Sequence, residues 1–236
     1  MHRQFLPRYF MLAGVLIACL PAAIAQVAAK PVRHLVEINT TAGRMVVELY
    51  NETPLHRDNF LKLVREHYYD STLFHRVING FMIQGGDPDS RKADDRGVQL
   101  GNGGPGYTIP PEFRTGLFHR KGALAAAREG DDVNPKKESS GSQFYLVQGR
   151  IWPPADLARL QDRQNSMRPD SAAIHYTPAQ VETYGSTGGT PHLDGNYTVF
   201  GQLVEGMDVL DRIAAQPCDV QDRPLSDVRM WMRVIK

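Results

Sequence analysis

Two runs of alternating apolar and polar residues open the chain after its first thirty residues. Residues 34–40 and 44–50 both alternate with a period of two, which is typical of half-buried β-strands. Ala42-Gly43 lies between them and predicts a hairpin. Thr53-Pro54 then has the pattern of a helix start, and the apolar residues that follow at helical spacing predict a helix that ends near His67.

Short apolar runs continue to the end of the chain and are separated by clusters of Gly, Pro, Asn or Asp. They are residues 73–78, 81–84, 122–127, 143–148, 197–204 and 228–235. A second helix is predicted over residues 206–215. Many short strands with two helices predict a mainly β fold, built as a closed antiparallel barrel with helical caps. No repeat or linker divides the chain, which predicts one domain over residues 26–236.

Residues 151–191 interrupt this rhythm. Leu157 and Leu160 lie at helical spacing after a Pro-Pro pair, and residues 177–180 (TPAQ) have the pattern of a capping box that opens a second short helix. About forty residues are long for a loop without structure of its own. We therefore expect a helical insertion on the barrel surface. We favour packing decoration over a partner or substrate site as its role.

Residues 1–25 have the layout of a secretory signal peptide. Arg3 and Arg8 precede an apolar run over residues 9–20, and Ala23-Ile24-Ala25 offers small residues for cleavage after Ala25. The expected location is therefore the periplasm or the exterior. Two alternatives stay open, namely lipidation at Cys19, which ends a lipobox-like LIAC, and an uncleaved membrane anchor. Only these two would attach the protein to a membrane.

Charge and cysteine content exclude several classes of protein. The 236 residues carry 27 Lys and Arg against 26 Asp and Glu, without a basic block, so nucleic acid is not an expected partner. Loss of Arg3 and Arg8 with the leader leaves 25 basic and 26 acidic residues, a net charge of −1. Cys218 is then the only thiol, which excludes an intrachain disulfide.

No cofactor or metal is expected from the motifs. Residues 101–106 satisfy GxGxxG, but Pro110-Pro111 follow where a dinucleotide site needs a helix. The eight His form no HExxH pattern, which argues against a metal site. Ser142 lacks the GxSxG context of a hydrolase nucleophile.

One string of residues, FHRVINGFMIQGGD at 74–87, combines an arginine with apolar and amide side chains on two short predicted strands. Side chains alternate between the faces of a strand, so Arg76 and Ile78 point one way, and Met82 and Gln84 can point together after the turn at Gly80. A lone arginine in such a setting would be interpreted as lying along an apolar surface. The length and specificity of the string favour a functional site.

The string resembles the signature of the cyclophilin family of peptidyl-prolyl isomerases, FHR-x-(I/V)-x-x-FM-x-QGGD. Residues 140–145 (SGSQFY) resemble the family's GSQFF strand, and residues 193–201 (LDGNYTVFG) resemble its LDG…VFG segment. The three motifs occur in order, and the match runs from about residue 34 to 236 with 151–191 as extra material. The resemblance implies a closed eight-stranded β-barrel capped by two α-helices, and an enzyme without cofactor that acts on proline-containing peptides and unfolded proteins.

The resemblance also implies roles for individual residues. Arg76 matches the catalytic arginine. The matched substrate-binding positions are Phe81, Met82, Gln84, Ala127, Arg128, Gln143, Tyr145, His192, Leu193 and Tyr197. Four of them depart from common family residues: Arg128 replaces Asn, Tyr145 replaces Phe, His192 replaces an aromatic residue that is often Trp, and Tyr197 stands where many eukaryotic members have His.

We therefore expect an exported peptidyl-prolyl cis-trans isomerase that assists the folding of exported proteins. The alternative is a non-catalytic module that holds proline-containing segments as a chaperone or scaffold. A third, weaker alternative is an assembly protein that uses residues 151–191. Retention of Arg76 favours the enzyme, because a scaffold has no need of the guanidinium.

Overall fold

The fold is given by a computed structural model, which describes residues 32–93 and 98–236. The predicted leader at residues 1–25 lies outside the described residues. Residues Val32–Lys236 form one compact unit. In the described ranges the α-helices are α1 (Pro54–Arg65), α2 (Pro154–Asn165), α3 (Pro178–Ser186) and α4 (Met207–Ala214). The strands are β1 (Leu35–Thr40), β2 (Gly43–Leu49), β3 (Thr72–Leu73), β4 (Arg76–Ile78), β5 (Met82–Gly85), β6 (Thr108–Ile109), β7 (Ala123–Ala126), β8 (Ser139–Ser140), β9 (Phe144–Val147), β10 (Val199–Glu205) and β11 (Arg229–Val234).

Nine of these strands form one curled antiparallel sheet in the order β3-β11-β1-β2-β10-β7-β9-β5-β4. The remaining two, β6 and β8, pair with each other outside it. β1 and β2 form the predicted hairpin, with Thr40 opposite Gly43. The mainly β class predicted from the alternating runs is therefore confirmed.

The closed eight-stranded barrel is not what the structure shows, because the large sheet has nine strands and its edge strands β3 and β4 are not paired with each other. The run predicted as one strand over residues 73–78 divides at Phe74 and His75. The Phe74 N–H donates to the Val228 carbonyl at 2.9 Å, whereas the Val77 N–H donates to Asp222 at 2.8 Å. The chain thus passes from one sheet edge to the other within two residues, and the sheet curls accordingly.

The two predicted helices, α1 and α4, lie where the apolar spacing placed them. Phe60 at the centre of α1 is buried, and its ring packs edge-on against Phe144 at 5.6 Å and Phe200 at 5.5 Å between centroids. These aromatic contacts join α1 to β9 and β10 through the main core. Within residues 32–93 and 98–236, no helix combines the length and the apolar character needed to cross a membrane.

Residues 151–191 contain α2 and α3, in agreement with the predicted helical insertion. α3 begins with the predicted capping box, in which the Thr177 side chain accepts from the Gln180 N–H and the Gln180 side chain accepts from the Thr177 N–H. Gln180 Nε2 also donates to the Thr115 carbonyl at 3.0 Å. The Tyr184 side chain on α3 is fully buried. The insertion is thus packed into the same compact unit as the sheet.

Candidate active site

A pocket of about 100 Å³ opens where β4, β5, β7 and β9 meet the segment before β10. Its walls contain nine of the eleven residues predicted from the sequence to be catalytic or substrate-binding: Arg76, Phe81, Met82, Gln84, Ala127, Arg128, Tyr145, Leu193 and Tyr197. The other two adjoin it. Gln143 accepts a hydrogen bond from Gln84, and the His192 ring lies 5.5 Å from that of Phe81. The structure therefore gathers all eleven residues, and their roles stay predictions.

Arg76 lies at the mouth of this pocket, where the β4–β5 register sets it opposite Gln84. Its Nη1 donates to Gln84 Oε1 at 3.4 Å, and its Nε lies 3.5 Å from Asp222 Oδ2. The side chain is 42% exposed, so the guanidinium is oriented without being covered. Asp222 follows far along the chain in a turn without a recognisable motif, and sequence reasoning did not find it.

A chain of amides fixes the orientation of Gln84. Gln84 Nε2 donates to Gln143 Oε1 at 3.0 Å, and Gln143 Nε2 donates to the carbonyls of Gly101 and Gly103, both at 2.8 Å. Because the Gln84 amide nitrogen is used in this way, its oxygen faces Arg76. The Gln84 and Gln143 amides therefore hold the Arg76 guanidinium in a defined position.

The QGGD end of the signature has a structural role. Gly86 adopts φ +92°, and a Cβ there would lie 2.3 Å from the Ser142 carbonyl oxygen, so glycine is required. The next residue, Asp87, is buried, and its Oδ2 accepts from the backbone N–H groups of Gly101 at 2.5 Å and Gly103 at 3.3 Å. The motif thus anchors the glycine-rich loop that Gln143 contacts.

Arg128 differs from the role that the resemblance implies. Its side chain is only 4% exposed: Nε donates to the Asn196 carbonyl at 2.7 Å, Nη1 forms an ion pair with Asp131 at 2.7 Å, and Cζ lies 4.5 Å from the Tyr197 ring centroid. The guanidinium is therefore occupied by the protein. The backbone N–H and C=O of Arg128 have no hydrogen-bond partner among residues 32–93 and 98–236. Peptide contact at this position would fall to the backbone.

Tyr145 belongs to a buried hydrogen-bond chain that sequence reasoning missed. His119 Nδ1 lies 2.7 Å from Asp194 Oδ1, and His119 Nε2 lies 2.9 Å from the Tyr145 hydroxyl. Asp194 Oδ2 accepts from the Tyr184 hydroxyl at 2.6 Å. Burial raises the pKa of both tyrosines well above 10, so both hydroxyls stay protonated.

The Asp194 carboxylate determines which atoms donate and which accept in this hydrogen-bond chain. The Asp194 carboxylate can only accept, so the hydrogen-bond pattern assigns the tautomer in which His119 Nδ1 donates to Asp194 and Nε2 accepts from the Tyr145 hydroxyl. Every donor in the chain then has an acceptor. The chain links the pocket wall to α3 in the insertion. Asp194 is the middle residue of the LDG motif at residues 193–195, so the sequence contained a signal for it. No motif in the sequence contains His119 or Tyr184.

His192 stands beside Phe81 at the pocket edge. Its pKa is lowered, mainly because part of the ring is removed from water, and the Arg150 guanidinium adds positive potential. The ring is therefore neutral at pH 7 and extends the apolar wall. Residues 32–93 and 98–236 contain no cluster of three His, Cys, Asp or Glu side chains that could hold a metal ion.

Fold and site together define a mainly β protein with a small apolar pocket that an arginine borders. A family model described as cyclophilin type peptidyl-prolyl cis-trans isomerase/CLD matches residues 35–233. Proteins of Staphylococcus aureus and Staphylococcus epidermidis, provisionally named peptidyl-prolyl cis-trans isomerases, are 37% identical over 194 residues, which is 82% of this chain and 87% of theirs.

Solved structures agree on the fold. A crystal structure of a cyclophilin type peptidyl-prolyl cis-trans isomerase from Cryptosporidium parvum is similar, with a TM-score of 0.60 and 24% identity over 87% of this chain and 99% of that one. A second structure, with the dipeptide Ala-Pro present, has a TM-score of 0.58 and 24% identity over 86% and 99% of the two chains. The chain belongs to the cyclophilin-type peptidyl-prolyl cis-trans isomerase family, and it is an isomerase.

Proposed function

We propose that this isomerase acts outside the cytoplasm, where it rotates X-Pro bonds in the pocket beside Arg76 and assists the folding of exported proteins. The observation that carries the catalytic part is the pocket itself. It combines apolar walls from Phe81, Met82 and Leu193 with an oriented guanidinium at its mouth. The Ala-Pro dipeptide with the Cryptosporidium parvum relative supports a proline-containing ligand.

The size of the pocket suits a proline ring. Its volume is about 100 Å³. A dry apolar cavity of about 150 Å³ takes a benzene molecule, so a five-membered ring is a matched occupant here. With the ring held by Phe81, Met82 and Leu193, the residue that precedes proline is free to rotate. The backbone of Arg128 and the Gln84–Gln143 amides are placed to hold that part of the peptide.

Arg76 supplies the stabilisation that is specific to the transition state. Amide resonance sets a barrier of about 18–20 kcal/mol, and rotation uncouples the prolyl nitrogen lone pair from the carbonyl. The lone pair becomes a better acceptor in the twisted state, so a hydrogen bond from Arg76 is stronger there than in the ground state. Removal of about 7 kcal/mol from the barrier would accelerate exchange about 10⁵-fold. No step needs a nucleophile or a metal.

An exchange assay on a short X-Pro peptide tests the catalytic proposal. Protein that has been dialysed against EDTA should accelerate cis-trans exchange without added metal or nucleotide. If the protein binds the peptide and does not accelerate exchange, the non-catalytic binding module is the correct reading. If activity is lost in EDTA and a metal restores it, the proposed chemistry is wrong.

Export is supported by the basic start, the apolar run and the small residues before Gln26. N-terminal sequencing of the protein from the envelope or medium of an expressing bacterium should begin at Gln26. A lipid-blocked start at Cys19 would establish the lipoprotein alternative. An intact Met1 in the membrane fraction would establish the anchor, and an intact Met1 in the cytoplasm would refute export.

A further inference from the structure

A cleft of about 280 Å³ lies between the insertion and the loop that precedes β7. Its walls are mostly apolar and come from both parts of the chain: Phe113, Leu117 and Phe118 from the loop, Ile174 and Tyr176 from the insertion, and Tyr197 before β10. Pockets for drug-sized ligands occupy about 300–1,000 Å³. This cleft is just below that range, so it has room for one or two amino-acid side chains.

The cleft adjoins the proline pocket. Tyr197 lines both cavities, and Leu193 lines the pocket while the next two residues, Asp194 and Gly195, line the cleft. One short segment therefore separates them. An extended peptide advances about 3.3–3.6 Å per residue. A substrate whose proline fills the pocket can thus reach the cleft with side chains a few residues away.

Two guanidinium groups give the cleft a positive character. Arg168 Nη2 donates to the Asp194 carbonyl at 3.0 Å, and Arg114 Nε donates to the Glu52 carbonyl at 3.1 Å. Backbone carbonyls orient both groups, and neither forms an ion pair within residues 32–93 and 98–236. The one carboxylate in the wall, Asp194, is already bonded to His119 and Tyr184. The wall thus carries two guanidinium groups against one carboxylate.

We propose that this cleft is a specificity subsite for substrate peptides that carry a large apolar side chain next to an acidic one, a few residues from the proline. The apolar side chain would pack on Phe118 and Tyr197, and the carboxylate would bind Arg168 and Arg114, because guanidinium groups pair strongly with carboxylates. This inference rests on the proposed function, since it makes the cleft part of the same substrate site.

A set of matched peptides tests the subsite. All peptides contain the same X-Pro core. They are made in pairs that carry either Phe-Glu or Phe-Lys at the same position, two or three residues before or after the proline. Wild-type protein should isomerise one Phe-Glu peptide about tenfold more efficiently, in kcat/KM, than its Phe-Lys counterpart. That ratio is the size expected of one charge-assisted hydrogen bond at a partly exposed site. The short core peptide, measured alongside, reports the proposed function separately.

Charge reversal supplies the decisive comparison. Arg168→Glu should invert the ratio in favour of Phe-Lys, and Arg114→Glu, on the core loop, should reduce it if Arg168→Glu fails to fold. The matched control is Arg159→Glu in α2, which makes the same charge change at an exposed side chain that is paired with Asp156. The subsite would be overturned if the wild-type protein isomerises the core peptide but shows the same kcat/KM for the Phe-Glu and Phe-Lys peptides at every position. Equal ratios in Arg114→Glu and Arg159→Glu would also overturn it.

Discussion

Tyr145 carries a hydroxyl at a position where the family commonly has Phe, and the structure gives this hydroxyl a partner. It lies 2.9 Å from His119 Nε2, and Asp194 holds the opposite edge of the same ring. Both Tyr145 and His119 are buried. A polar group that is removed from water in this way stabilises the fold only while its partner is present.

Tyr145→Phe should therefore destabilise the protein although it restores the common family residue. It leaves His119 Nε2 buried without a partner, which costs about 1–3 kcal/mol of the free energy of unfolding. Chemical denaturation measures the loss. The control is Tyr107→Phe, whose hydroxyl bonds to Asn59 at the surface, and it should change stability by less than about 0.5 kcal/mol. Equal stability of the two variants would contradict the buried chain.

For single residues, the sequence could predict which side chains gather in the pocket, because three ordered motifs carry most of them. It could not predict how they are held. Asp222 beside Arg76 and His119 beside Tyr145 come from distant segments, and their partners are decided by the curl of the sheet. Arg128 shows the same limit, since only the structure reveals that Asp131 and Asn196 occupy its side chain.

Among the elements, α3 connects the insertion to the wall of the candidate active site. Its N-terminus is closed by the Thr177–Gln180 capping box, and Tyr184 near its end bonds to Asp194. Local propensity and a tertiary contact therefore support the same short helix.

Thr177→Ala should lower the free energy of unfolding by about 1 kcal/mol, because the Gln180 N–H in the first turn of α3 loses its side-chain acceptor. Thr187→Ala is the matched control at the other end of α3, where the hydroxyl returns to the Thr183 carbonyl of the same helix. That control should be nearly neutral. Urea denaturation of both variants, with hydrogen exchange of α3, checks the difference. A loss in Thr187→Ala as large as in Thr177→Ala would show that the cap has no special role.

The elements also show where sequence patterns fail. The period-two runs predicted β1 and β2, and the capping signals predicted α1 and α3, since these patterns act within a few residues. The run at residues 73–78 was predicted as one strand. Its division follows from a change of partner from β11 to β5, which no local pattern reports.

For the whole molecule, buried ionisable groups predict how stability depends on pH. Burial lowers the pKa of His75 to about 4, and the residue is 4% exposed. In the unfolded chain the pKa of His is about 6.5, so between these values the unfolded state binds more protons. Stability should therefore fall as the pH decreases from about 6.5 to about 4, by roughly 3 kcal/mol at 1.36 kcal/mol per pKa unit.

Glu37 adds a second stage at lower pH. Hydrogen bonds from Arg233 and Arg44 lower its pKa from 4.5 to about 2, so its contribution is present above pH 4.5 and is lost as the pH falls toward 2. Denaturation curves between pH 7 and pH 3 should thus show two stages, and His75→Phe should flatten the first. Wild-type stability that is equal at pH 7 and pH 4.5 would contradict this account.

We propose that Arg76 accelerates rotation while the apolar walls bind the proline ring. Arg76→Ala should lower kcat/KM for a short X-Pro peptide about 10²–10³-fold, the effect expected of an organised transition-state donor. Peptide affinity should change less, because Phe81, Met82 and Leu193 remain. Arg76→Lys should recover little, since Lys lacks the planar donor fork.

The decisive experiment measures the isomerisation rate and the peptide affinity of Arg76→Ala on folded protein. The matched control is Arg212→Ala, which removes an exposed arginine of α4 that is paired with Asp208 and is not part of the pocket wall. The rate should fall steeply in Arg76→Ala alone, with most of the affinity kept. Wild-type rates in Arg76→Ala, or an equal loss in both variants, would contradict the catalytic role of Arg76.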